Sequence, residues 1–193
     1  MMRIITGKAR GVKLRTLEGE ITRPTAERTK EAVFSMLQFE IEGKRVLDGF
    51  AGSGQLGLEA LSRGASFAMF VDKNKASVDV IKKNVELTRM VENSTVICSE
   101  LEPQLEKMAG GKGFDIVFLD PPYKSDLIDK SLKCLVRCRL LSRNAIVVCE
   151  SGGPIAIEAD TWFSDNFNIL RSAKYGIAYV TILRLKDKEL EQI

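Results

Sequence analysis

The stretch Leu47-Asp48-Gly49-Phe50-Ala51-Gly52-Ser53-Gly54-Gln55-Leu56-Gly57-Leu58-Glu59-Ala60-Leu61 decides the fold. It leads from the apolar strand Arg45-Val46-Leu47 through a glycine-rich turn into a helix over about residues 55–63. Gly52, Gly54 and Gly57 satisfy G-x-G-x-x-G. At that spacing a strand turns tightly into a helix while its backbone approaches a ligand. The pattern alone does not separate a dinucleotide from another adenosine-containing ligand. Asp72, at the end of the next strand, offers a carboxylate to ribose hydroxyls in either case, or caps the helix that starts at Asn74. Asp48 is more discriminating. A carboxylate immediately before the loop repels a pyrophosphate and favours a cation, although it is also placed to accept hydrogen bonds from the loop amides.

Outward from this loop, strands and helices alternate. Phe67–Val71, Ser94–Cys98 and Phe114–Leu119 read as strands, with the last apolar enough for the centre of a sheet. Helical periodicity covers Lys75–Leu87, a short segment near 101–109 and about 126–138, before the strand Ala145–Cys149. Repeated βα units imply a parallel, doubly wound α/β sheet. Phe167–Arg171 and Ala178–Leu185, separated by Lys174-Tyr175-Gly176, predict a closing antiparallel hairpin. Such a hairpin distinguishes methyltransferases of this architecture from plain dinucleotide-binding folds. Before the loop, residues 2–6 and 12–16 read as two short strands around a turn carrying Lys8 and Arg10. Arg23-Pro24-Thr25 starts a helix that runs to about Leu37, with Thr25 placed to cap it.

Asp120-Pro121-Pro122-Tyr123 follows the central strand at its C-terminal end, the edge where open α/β sheets bind ligands. The segment suits methylation of an amino group. The lone pair of an exocyclic base nitrogen is delocalised into the ring, which makes it a poor nucleophile. A carboxylate and a backbone carbonyl accepting its N–H bonds orient the nitrogen and stabilise the positive charge it gains. Two prolines hold that carbonyl in place, and Tyr123 offers a ring on which an extruded base stacks. A methyl donor carrying an ammonium and a sulfonium also accounts for Asp48. The bland alternative is a strand ending in a Pro-Pro turn with an incidental aromatic.

Composition bounds the remaining choices. The chain has 193 residues, 45% hydrophobic and 28% charged, enough for one α/β domain with a small appendage. No apolar run approaches the roughly 20 residues of a membrane span, and the N-terminus lacks a signal-peptide pattern, so the expected address is the cytoplasm. The chain contains no histidine, which excludes Ser-His and Cys-His triads and most catalytic metal centres; no metal is expected. Cys98, Cys134, Cys138 and Cys149 form no Cys-x-x-Cys pair and read as small buried hydrophobes. Residues 1–30 hold eight basic residues (Arg3, Lys8, Arg10, Lys13, Arg15, Arg23, Arg28, Lys30) and three acidic ones (Glu18, Glu20, Glu27), a net +5 that leaves −2 for the rest of a +3 chain. A basic arm on a near-neutral body points to a polyanionic partner or to a solvated charged face.

Four segments together resemble the RsmD family of bacterial 16S ribosomal RNA guanine-N2 methyltransferases. They are the Arg3–Gly11 segment, Arg23-Pro24-Thr25-Ala26-Glu27-Arg28-Thr29-Lys30-Glu31 with Phe34, the Asp48–Leu61 loop followed by Ser62-Arg63-Gly64-Ala65, and Asp120–Tyr123. The resemblance runs from Arg3 to about Leu185. It implies a Rossmann-like class I S-adenosylmethionine methyltransferase fold, with a mostly parallel seven-stranded sheet and a C-terminal antiparallel hairpin. Residues 1–22 would form a basic β-hairpin extension and 23–193 the methyltransferase domain. Asp48, Phe50, Ala51, Gly52, Ser53 and Gly54 would line the S-adenosyl-L-methionine site and Asp72 would hold the ribose. Glu100 and Leu101 fall where the family flanks the adenine, although the family often has alanine at the second position. Asp120, Pro121, Pro122 and Tyr123 would form the catalytic motif. Arg3, Lys8, Arg10, Arg23 and Arg28 fall in the RNA-facing segment, while Thr25 and Arg28 suit either RNA or the cofactor's carboxylate. The implied partner is 16S rRNA, free or within the 30S subunit, with a monomeric enzyme and no membrane. The competing readings are methylation of DNA adenine or protein glutamine, a non-catalytic RNA-binding assembly factor, and, weakest, a nicotinamide dehydrogenase.

Overall fold

In the computed structural model, residues 2–17, 24–123, 125–155 and 161–187 are described. Seven strands, β1 (Arg45–Asp48), β2 (Phe67–Asp72), β3 (Ser94–Cys98), β4 (Phe114–Leu119), β5 (Leu141–Ser151), β6 (Phe167–Tyr175) and β7 (Ala178–Leu185), form one sheet. Their order is β3-β2-β1-β4-β5-β7-β6, with β7 antiparallel to both neighbours and every other pairing parallel. This is the seven-stranded class I methyltransferase sheet, and the order reverses between β1 and β4. At such a switch point the flanking loops diverge and leave a crevice beyond the strands' carboxyl ends.

Helices cover both faces. On one side α1 (Pro24–Met36), α2 (Gln55–Ser62) and α3 (Lys75–Leu87) bury Phe34, Leu58, Leu61, Ile81 and Val85 against Val46, Phe70, Phe118 and Val148. On the other, α4 (Leu101–Lys107), α5 (Leu127–Arg137) and α6 (Thr161–Asn166) bury Leu105, Leu132, Leu135 and Phe163 against Leu47, Val117 and Val147. The β4 sequence explains its central place: Ile116, Val117, Phe118 and Leu119 are all buried, so both faces of the strand meet helices. In α3, Val78, Ile81 and Val85 recur at helical spacing on the buried face, and the Asn74 side chain caps the helix by accepting from the Ala76 N–H at 2.9 Å. Helix α1 begins at Pro24, so Thr25 lies within the helix rather than capping it.

Three other expectations change. The N-terminal strands reduce to a single bridge, Arg3 with Lys13, flanked by the bonds Ile4 N to Val12 O and Leu14 N to Met2 O. The segment is held instead by packing, since Ile4, Ala9 and Leu14 are buried in the α1–α3 core. Strand β5 begins at Leu141, four residues early, because an irregular register between Phe114 and Ile116 lets Leu141 pair before the regular ladder starts. Cys98 is exposed because it ends the edge strand β3, whereas Cys134, Cys138 and Cys149 are buried. Burial pushes the Cys134 thiol up to about 11, with the Cys138 thiol adding to the shift, and burial raises Cys149 as well. Neither group is a ready thiolate. No helix of the described residues is long and apolar enough to cross a membrane.

Candidate active site

The crevice is a cavity of about 1260 Å³ at the carboxyl edge of β2, β1, β4 and β5. Its wiring begins in the loop after β1. The Gly49 N–H donates to Phe118 O at 2.9 Å and the Ala51 N–H to Val71 O at 3.1 Å, tying the loop to strands on either side. Gly52 and Gly54 have positive φ, as the tight turn into α2 requires. Gly57 is needed for a different reason. A Cβ there would lie 2.4 Å from Cε1 of the buried Phe70 ring, so only glycine lets α2 settle on the sheet.

Asp48 is 2% exposed, and its Oδ2 accepts the Gly57 N–H at 2.9 Å. Burial pushes its carboxyl up from 3.8 to about 7; the Gly57 bond opposes this and the nearby Asp72 charge adds to it. The amide-accepting role and the place on the cavity wall are therefore both realised. A cation in the cavity would favour the charged form. Asp72 accepts from Gly52 N and Asn74 N, both at 2.8 Å. It supports the loop and the start of α3, and its remaining lone pairs border the cavity. Phe50, Ala51, Ser53, Glu100 and Leu101 also line the cavity, whereas Gly54 lies behind the wall at the start of α2. Leu101 is buried close beneath the loop: a Cβ on Gly49 would meet its Cδ2 at 2.8 Å.

Asp120, Pro121, Pro122 and Tyr123 line the same cavity where β4 ends. Asp120 is exposed, Pro121 buried, and the Pro122 carbonyl accepts a hydrogen bond from Ser125 Oγ at 2.8 Å, which fixes the turn. The Tyr123 ring lies against Gly152, where a Cβ would come within 3.2 Å of it, and its hydroxyl donates to Glu150 Oε1 at 2.9 Å. Glu150 was not singled out by the sequence reading. Burial raises its carboxyl above the usual range, and the bond from Tyr123 counters that.

Of the basic residues, Arg3 reaches the cavity wall, while Lys8, Arg10 and Arg28 are exposed outside it. Arg23 and the Thr25 side chain lie outside the described residues. The unforeseen element is a buried ionic hub that seats the arm. Glu59 on α2, 0% exposed, accepts from Ile5 N at 2.8 Å, Thr6 N at 3.0 Å and Arg63 Nε at 2.9 Å, and pairs with Lys30 Nζ at 3.6 Å. Lys30, 4% exposed, donates to Arg3 O at 2.8 Å and itself lines the cavity. The hub thus places Met2 and Arg3 on the cavity rim, beside the loop that α2 continues.

The sequence matches the family described as conserved hypothetical protein 95 over residues 2–184. The ribosomal RNA small subunit methyltransferase D of Haemophilus influenzae is 38% identical over 151 residues, 78% of each chain. The Escherichia coli protein of the same name is 36% identical over 150 residues, 78% of this chain and 74% of that one. The solved structure of yhhF from Escherichia coli superposes with a TM-score of 0.83 at 31% identity, covering 97% of this chain and 99% of that one. SMU.776, solved with S-adenosylhomocysteine, shares the fold at a TM-score of 0.65 and 16% identity, over 81% of this chain and 49% of that one. With a family match over residues 2–184 and relatives 36–38% identical over 78% of the chain, this protein belongs to the conserved hypothetical protein 95 family, that of the ribosomal RNA small subunit methyltransferases D.

Proposed function

We propose that the chain transfers a methyl group from S-adenosylmethionine to the exocyclic N2 amino group of a guanine in 16S ribosomal RNA, in the cytoplasm. The observation that carries this reading is the Asp120–Tyr123 turn, which opens onto the same cavity as the acid-flanked glycine loop and Arg3 of the basic arm. The residues fit the cofactor. Asp48 faces a cation, Asp72 suits ribose hydroxyls, Glu100 and Leu101 flank an adenine, and the Gly52–Ser53 backbone leaves room for close approach. When bound, S-adenosylmethionine supplies an electrophilic methyl group on a sulfonium.

The remaining chemistry belongs to the chain. Asp120 accepts one N–H of the target amine and a backbone carbonyl of the turn accepts the other, which aims the lone pair into the cavity. As the nitrogen gains positive charge, both acceptors bind it more tightly than in the ground state, the condition for rate acceleration. The hydrogen shared with Asp120 is the proton the nitrogen then releases. Tyr123 stacks on the extruded base, its ring set by Gly152 and Glu150. Lys8, Arg10 and Arg28 hold phosphates, either of free 16S rRNA or of the 30S subunit, and one monomer suffices. Asp120→Ala tests the assignment. Methyl transfer should fall at least about 100-fold, while cofactor affinity measured by calorimetry stays within a few-fold. Turnover at the wild-type rate would refute it.

A further inference from the structure

Four neighbouring strands each bring a carboxylate to the cavity: Asp72 at the end of β2, Asp48 at the end of β1, Asp120 just after β4 and Glu150 in β5. The reaction outlined above uses the first three. Glu150 is the fourth, and its position is specific. In the parallel register Leu119 pairs with Cys149, so Asp120 and Glu150 occupy the next step on adjacent strands. The residues two positions earlier, Phe118 and Val148, are packed in the same core, so strand alternation sends both carboxylates to one side of the sheet. Tyr123 holds Glu150 Oε1, and no described residue donates a hydrogen bond to Oε2. A carboxylate that is mostly withdrawn from water, with one oxygen pinned and the other without such a donor, is ready to accept a ligand N–H.

We propose that Glu150 reads the target base, its carboxylate accepting the guanine N1–H while Asp120 engages the adjacent N2 amino group. This rests on the guanine-N2 reading above and deepens it. Guanine presents two neighbouring donors, N1–H and N2–H, to this pair of acceptors. Adenine at N1 and cytosine at N3 each present a lone pair instead, which would set two acceptors face to face. Tyr123 serves two ends at once, stacking on the base and holding the group that identifies it.

The test compares kcat/KM on two RNAs that carry either guanine or 2-aminopurine at the mapped target position. The analogue keeps the amino nucleophile but has an acceptor at N1. Wild-type enzyme should prefer guanine by roughly 10- to 100-fold. Glu150→Gln, whose amide can donate to that acceptor, should lose rate on guanine and bring the ratio close to one. Glu150→Ala, which removes the acceptor altogether, should also abolish the preference and serves if the glutamine variant does not fold. A variant that slows both substrates in parallel, with the ratio unchanged, overturns the role of Glu150, because a merely structural contact to Tyr123 would act that way. Wild-type enzyme that modifies neither RNA overturns the guanine-N2 reading itself.

Discussion

Glu59→Gln preserves the shape of the side chain and removes its charge. The wild-type carboxylate is fully buried and serves two backbone amides, Arg63 and Lys30. A glutamine carbonyl keeps part of that acceptor capacity, and its amide NH2 turns a donor toward groups that are themselves donors. Lys30, 4% exposed, then loses the Glu59 charge and retains the bond to Arg3 O. Breaking a buried pair by removing one partner costs about 3–5 kcal/mol. The surviving Lys30 bond and the remaining water access of Arg63, 16% exposed, place the expected loss near the bottom of that range, about 3 kcal/mol. For a chain of this length such a loss lowers Tm by about 6–12 °C. The effect should also be local. Hydrogen exchange at the Ile5 and Thr6 amides should accelerate more than at β4 amides, because the arm loses its anchor while the sheet does not. A Tm within 2 °C of wild type, with unchanged protection at both amides, would refute the view that Glu59 seats the arm.

Two further perturbations follow from the geometry. The Asp48 carboxyl titrates near 7 when folded and at 3.8 when free, so the folded chain binds a proton that the unfolded chain releases, and this group's contribution to stability falls as pH rises from 3.8 to 7. A cationic cofactor prefers the ionised form, so affinity should rise about tenfold per pH unit up to about 7 and then level off. Calorimetry in buffers of different ionisation enthalpy should register the released proton; an affinity flat from pH 5.5 to 8 counts against the cation-facing role. Gly7→Ala should be costlier than Gly11→Ala. Both have φ above +80°, which costs a non-glycine residue about 1–2 kcal/mol, but at Gly7 the new Cβ would also sit 1.8 Å from Ser62 O while at Gly11 it meets nothing. Equal midpoints in urea for the two variants would contradict the packing of the arm on α2.

The parts of this fold that depend on local pattern are legible in the sequence. Lys75–Leu87 and Phe114–Leu119 occupy the residues their periodicity indicates, because the first is set by one buried face and the second by burial on both; Ser94–Cys98 also matches, as an edge strand that is only partly buried. The cavity gathers Asp48, Asp72 and Asp120 because all three stand at the carboxyl ends of neighbouring parallel strands, and strand ends can be counted from sequence. Glu59 could not be read in the same way. With Arg63 four residues on, it has the spacing of an ordinary solvated helix pair, and its burial depends on a segment more than fifty residues earlier in the chain. Glu150 directly follows the apolar run Ala145–Cys149, and its meaning emerges only when β4 and β5 align and Tyr123 turns onto it. The N-terminal strands failed for a related reason: two five-residue runs around a turn do not reveal that side-chain burial, rather than a ladder, holds the segment.

One reaction tests methyl transfer to the guanine amino group most directly. Small ribosomal subunits lacking the modification, incubated with the protein and methyl-labelled S-adenosylmethionine, should take up label at a single guanine of 16S rRNA. Digestion to nucleosides should place that label on N2, and Asp120→Ala should remove it. Label on DNA or protein with none on the RNA, or label on the RNA at an atom other than an exocyclic amino nitrogen, would contradict the central claim.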